Sequence, residues 1–224
     1  MNTTPDPNVL ATLRRITNNR PAPSTEERCD MCGARVAEQH QHVVDLDSRN
    51  MMCTCRACYL LFTDQHADLR YRAVPDRYLS FPDFRFEQAD WDDLQIPVGL
   101  VFLFRNSVQD RMVAFYPSPA GATESELPLS SWDRVAAANP RLGTLLPDVE
   151  ALLVRRGVRS PAATAAGFAC HLVPIDACYE LVGRMRMTWR GFDGGQEARA
   201  AMADFFADVE RRARPAPEPS GGMS

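Results

Sequence analysis

Cys29-Asp30-Met31-Cys32-Gly33 and Cys53-Thr54-Cys55-Arg56-Ala57-Cys58 decide the reading of the first third of this chain. A Cys-x-x-Cys turn offers two sulfurs at the bite a tetrahedral ion accepts, with metal–sulfur bonds of about 2.3 Å, and a second such turn closes the shell. Residues 33–54 separate the two turns, slightly more than the roughly 15–20 residues usual for paired knuckles. Gly33 suits the first turn, because a residue without Cβ lets backbone amides approach the sulfurs. Between the knuckles, 42–46 and 50–53 flank the polar turn Asp47-Ser48-Arg49, a hairpin that returns one knuckle to the other.

The expected fold class is therefore α+β: a small zinc-ribbon or rubredoxin-like module followed by an α+β domain with an antiparallel sheet and packed C-terminal helices. The expected ligands are Cys29, Cys32, Cys55 and Cys58. Cys53 is the alternative ligand, since strand alternation puts it on the same face as Cys55. His40 and His42 are read as solvated hairpin residues rather than ligands. Zinc is the expected ion and iron the alternative. Tyr59, where a glycine would back a second rubredoxin-type knuckle, weighs against iron. Four thiolates leave no coordination position for water, so the reading is of a protein that is not an enzyme.

Composition agrees with an intracellular, globular chain. Its 224 residues are 45% hydrophobic, enough for a sizeable core, and carry 25 basic against 29 acidic side chains. Every basic residue is Arg, and the net charge of -4 sets up no field that would gather nucleic acid or an anionic membrane. A local patch of Arg28, Arg35, Arg49 and Arg56 is the only opening for a nucleic-acid-binding zinc ribbon. No apolar run approaches the roughly 20 residues of a membrane span, and residues 1–16 lack a secretory pattern. A cytoplasmic location is expected, where seven Cys are thiols or metal ligands rather than disulfides.

Periodicity divides the chain into 1–27, an N-terminal helix and linker; 28–66, the four-cysteine zinc-ribbon-like module; 67–213, the α+β domain; and 214–224, a Pro/Gly/Ser tail expected to be disordered. Residues 71–91, rich in aromatics and Pro, read as short strands and loops. Residues 98–104 and 111–116 read as an antiparallel pair, 149–154 and 171–173 as further strands, and Ser130 or Ser131 as the cap of a helix running to Ala138. Ile175, Cys178, Leu181, Val182, Met185 and Trp189 recur at helical spacing, as do Ala198, Ala201, Met202, Phe205 and Val209.

Two other groups are weaker. Residues 117–125 follow a strand with hydroxyls and a Gly but lack the endings of known phosphate loops, so a plain loop is expected. Cys170, His171, Asp176 and Cys178 include nucleophile and base types, yet both thiols sit in apolar patterns that point to burial.

The knuckles, together with Ala114-Phe115-Tyr116-Pro117-Ser118-Pro119-Ala120-Gly121-Ala122-Thr123-Glu124, Leu172-Val173-Pro174-Ile175-Asp176-Ala177-Cys178-Tyr179-Glu180-Leu181-Val182-Gly183 and Trp189-Arg190-Gly191-Phe192, resemble an uncharacterised actinobacterial family of unknown function. Genes of that family tend to lie beside those for high-affinity nickel-iron hydrogenases. The resemblance runs over most of 28–210. It implies an accessory protein whose partners are hydrogenase subunits or maturation factors, and it implies no chemistry. The expected function is a non-catalytic metal-binding adaptor; the alternatives are a rubredoxin-like electron carrier and a nucleic-acid-binding zinc ribbon, the last disfavoured by charge.

Overall fold

The computed structural model describes residues 27–64, 69–118, 121–125, 129–157, 163–164, 166–190 and 194–218. The helix read near the N-terminus lies outside them, as do 219–224. Two sheets organise the chain. In the smaller one, β1 (Gln41–Asp45) pairs antiparallel with β2 (Asn50–Thr54) on one side, His42 opposite Cys53. After α1 (Arg56–Leu60), β3 (Tyr71–Ala73) pairs antiparallel with the other side of β1. The module thus draws its third strand from beyond residue 66.

Asp45 pins this sheet. Its carboxylate accepts bonds from Arg70 Nε at 2.9 Å and Nη2 at 2.6 Å and from the amide of Asp47 at 3.1 Å. The Arg70 guanidinium holds the Asp45 carboxyl well below the usual carboxylate range. A folded pKa below the unfolded value of about 3.9 means stability that is present above about pH 4 and lost as pH falls below it. Thermal melts should therefore show Asp45→Asn less stable than the parent at neutral pH, with the gap closing as the pH drops through about 4 and below. A gap independent of pH would refute this account.

The larger sheet contains β4 (Leu79–Ser80), β5 (Leu100–Asn106), β6 (Arg111–Ser118), β7 (Gly121–Ser125), β8 (Glu150–Arg156), β9 (Phe168–Pro174) and β10 (Arg214–Pro215), in the order β10-β4-β9-β8-β5-β6-β7. All pairings are antiparallel except that of β10 with β4. The central strands are apolar on both faces because both faces are covered. Val101, Leu103, Leu152, Val154, Cys170 and Leu172 face α2 (Gln88–Asp93), α3 (Leu129–Ala138) and the aromatic cluster of Phe81, Phe84, Phe86 and Trp91. Leu100, Phe102, Ala151, Leu153 and Val173 face α4 (Ile175–Thr188) and α5 (Gly195–Arg212). Val44 of β1 and Val74 enter this second core, joining the small sheet to the large one.

Several expectations change. Residues 71–91 hold a helix start as well as strands: Glu87 and Asp90 form a reciprocal capping box at α2, with an acidic cap in place of the usual Ser or Thr. Residues 117–125 are not a plain loop, because β6 runs to Ser118 and β7 returns from Gly121, with Thr123 Oγ1 donating to Ser118 Oγ at 2.9 Å. Pro117 is tolerated because β6 pairs with β5 only as far as Phe115. The tail read as disordered from 214 begins with β10, and Ala216 is buried, its amide donating to the Ser80 carbonyl at 2.9 Å. Trp189 is the C-cap of α4, one residue past the helix, and packs against the same core as the helix's apolar face.

Candidate metal centre

The first knuckle is a tight turn. The Cys29 amide donates to the Ala34 carbonyl and the Gly33 amide to the Cys29 carbonyl, each at 2.8 Å, with Gly33 at φ +74°, where a side chain is strained. The second knuckle is built differently. β2 ends at Thr54, Cys55 caps α1, and Cys58 lies in the helix, its turn closed by the Tyr59 amide donating to the Cys55 carbonyl at 3.0 Å. A helical turn needs no glycine, so Tyr59 can follow Cys58. Tyr59 Oη donates to the Val74 carbonyl at 3.1 Å and anchors α1 to the segment after β3.

The Sγ atoms of Cys29, Cys32, Cys55 and Cys58 all lie within 4.8 Å of one another. Cys32 and Cys55 are 3.7 Å apart. A tetrahedron with bonds of about 2.3 Å has edges of about 3.8 Å, so the group has the dimensions of a four-thiolate ion site. Electrostatics agree. Burial raises the Cys29 thiol, but the backbone amides of Cys55, Cys32 and Met31 outweigh it and bring the pKa down to about 6. The Cys58 amide lowers Cys55. Cys58 is pushed up to about 12, first by Cys32 and then by burial. Four sulfurs this close cannot all ionise without a cation between them.

Cys53 does not belong to this group. The chain leaves the strand at Thr54, so Cys55 turns away from the alternation that Cys53 obeys. Cys53 instead faces His42 across the hairpin and clusters with His40 and His42. Nor is His40 a solvated hairpin residue: its side chain is only 9% exposed. His42 is half-buried in β1 and meets Asp176, while His40, just before the strand, lies against Ala37 and Glu27.

Cys170 and Cys178 are not brought together. They pack in different cores on opposite faces of the sheet, and burial raises both thiols. Asp176 bonds His42 of the module at 2.9 Å, not His171. An apolar cleft of about 360 Å³ lies beside this junction, lined by Val44, Leu46, Phe104, Phe115, Cys178 and Val182 among others.

The sequence profile of a family of unknown function, DUF5947, matches residues 28–213. The chain belongs to this family. The matched span begins just before Cys29 and ends just after α5, so it takes in both knuckles, every strand of the two sheets except β10, and the helices that cover them. No curated protein and no solved structure matches the chain. Among the described residues, no helix is long and apolar enough to cross a membrane.

Proposed function

We propose that this DUF5947 protein is a non-catalytic, zinc-binding accessory protein that works in the cytoplasm through protein contacts, in the assembly or maturation of a nickel-iron hydrogenase system. The observation that carries the reading is the four-cysteine group: every donor is a thiolate, the sulfur spacing matches a closed tetrahedron, and no position is left for a reacting water. Such a site holds shape. What it shapes includes α1 and its C-cap, where Leu60 and Leu61, two and three residues after Cys58, are 51% and 68% exposed. Exposed apolar side chains on a metal-braced turn suit a protein partner better than a nucleic acid, which would call for a basic surface. The hydrogenase assignment draws on the resemblance given above, and the metal reading stands without it.

Protein purified under reducing conditions should contain zinc and no iron by elemental analysis and be colourless. Stoichiometric iron with a thiolate-to-iron absorption band would replace the accessory reading with that of a rubredoxin-like electron carrier, and absence of any metal would remove both. Tagged wild-type protein should retain a product of the neighbouring hydrogenase genes, and Leu60→Ser/Leu61→Ser should release it. Retention by neither, with zinc content normal, would overturn the partner and leave the metal site.

A further inference from the structure

The hairpin carries a second cluster of metal-ligating side chains. One ring nitrogen each of His40 and His42 and the Cys53 sulfur lie within 4.8 Å of one another, and the two rings are 4.7 Å apart between centroids. His42 and Cys53 are paired directly across β1 and β2, and His40 lies two residues before His42, just outside β1, with its ring against that of His42.

The hydrogen bonds around the two rings select their free nitrogens. His40 Nδ1 lies 2.9 Å from the Ala37 carbonyl, which can only accept, so Nδ1 carries the proton and Nε2 carries the lone pair. The Glu27 carboxylate, 3.5 Å from the same Nδ1, favours that tautomer too. His40 Nε2 is buried without a hydrogen-bond partner, on a side chain only 9% exposed, a costly state for an acceptor unless something binds it. His42 Nδ1 lies 2.9 Å from Asp176 Oδ2, a carboxylate at the start of α4, and so presents Nε2 as well. A carbonyl behind one imidazole and a carboxylate behind the other are the outer-shell partners that orient metal-bound histidines and raise their basicity.

We infer that His40 Nε2, His42 Nε2 and Cys53 Sγ form a second binding site, for a divalent cation of the zinc class. Two imidazoles and one thiolate are borderline donors that suit zinc and neighbouring transition metals, and not calcium or magnesium. Binding displaces the Cys53 thiol proton to solvent, leaving a three-ligand centre. A zinc ion held by three protein groups keeps a fourth position for water or an added ligand, unlike the closed four-thiolate site beside it. His42 and Cys53 are both partly exposed, so that position has access to solvent. The site goes beyond the accessory reading and does not depend on it.

The full-length reduced protein, equilibrated with buffered free Zn²⁺ and measured by elemental analysis, should hold two zinc ions per chain. Cys53→Ser and His40→Gln should each hold one fewer. Failure of the four-thiolate reading would show separately, as a zinc content unchanged by Cys58→Ser. With Co²⁺ as probe, the wild-type spectrum should contain, besides the four-thiolate bands, a single-thiolate charge-transfer band with d–d bands at shorter wavelength, because imidazole is the stronger-field donor. That component should vanish in Cys53→Ser while the four-thiolate bands persist. The proposal is overturned if Cys53→Ser and His40→Gln bind as much zinc as the wild type. A wild-type Co²⁺ spectrum with only four-thiolate bands overturns it without recourse to any variant.

Discussion

Cys29→Ser or Cys58→Ser is expected to empty the four-thiolate site and unfold the 29–64 module, while the seven-stranded sheet keeps its structure. The module has little else to hold it: among residues 27–64 only Cys29, Val43, Val44, Asp45 and Thr54 are buried. Zinc binding to small thiolate-rich modules is worth about 10–16 kcal/mol, and where a module cannot fold alone that binding energy is its folding energy. Changing even an outer-shell partner costs about 10–100-fold in metal affinity, and losing a direct thiolate costs more. Hydrogen exchange should report the result by region. Amides of β1 and β2 should lose protection, and those of β5, β8 and β9 should keep it. The large sheet should nonetheless melt at a lower temperature, because Val44 and Val74 are part of the core beneath α4 and α5. Retained protection across 29–58 together with full zinc content would show that these cysteines are not the ligands.

Arg77→Ala is expected to destabilise the large domain as much as truncating a buried core side chain does. Glu150, at the start of β8, is fully buried, and its carboxylate is satisfied by Arg77 Nε at 2.8 Å, Arg77 Nη2 at 2.7 Å and the Leu146 amide at 2.9 Å. Arg77 also donates to the Thr144 carbonyl at 2.8 Å, tying the segment after β3 to the turn before β8. Removing the guanidinium leaves a carboxylate buried with one donor, which costs about 3–5 kcal/mol. For a chain of this size that is on the order of 10 °C in melting temperature. Replacing both partners by apolar residues, Arg77→Met with Glu150→Leu, should recover most of the loss, because the penalty comes from the stranded charge and not from the missing pair. A single variant within about 1 °C of wild type would show that water reaches Glu150 when Arg77 is gone.

The elements legible in advance were those with a long, regular pattern. Residues 98–104 and 111–116 paired as read, and the apolar spacing of 175–189 and of Ala198 through Val209 marked α4 and α5. Short or atypically capped elements were not legible. α2 is six residues long and capped by Glu87, and β7 is an edge strand of Gly, Ala, Thr, Glu and Ser. Each is defined by what it packs or pairs with, so its local signal is weak. β10 is the extreme case: two residues of a Pro-rich tail become a strand because β4 offers an unpaired edge.

The same division runs through the candidate sites. Residue spacing alone pointed to a four-sulfur site, because a two-residue gap sets the bite of each knuckle within one local turn. It could not separate Cys53 from Cys55, since that depends on where β2 stops and α1 starts. Nor could it show that Cys170 and Cys178 part to opposite faces of a sheet, or that His42 meets Asp176 across 134 positions of sequence. Periodicity and spacing are properties of a few neighbouring residues. The His40, His42, Cys53 and Asp176 constellation exists only once the hairpin docks against α4, and docking is decided by the burial of Val44 and Val74 in a core whose other members lie at or beyond residue 100.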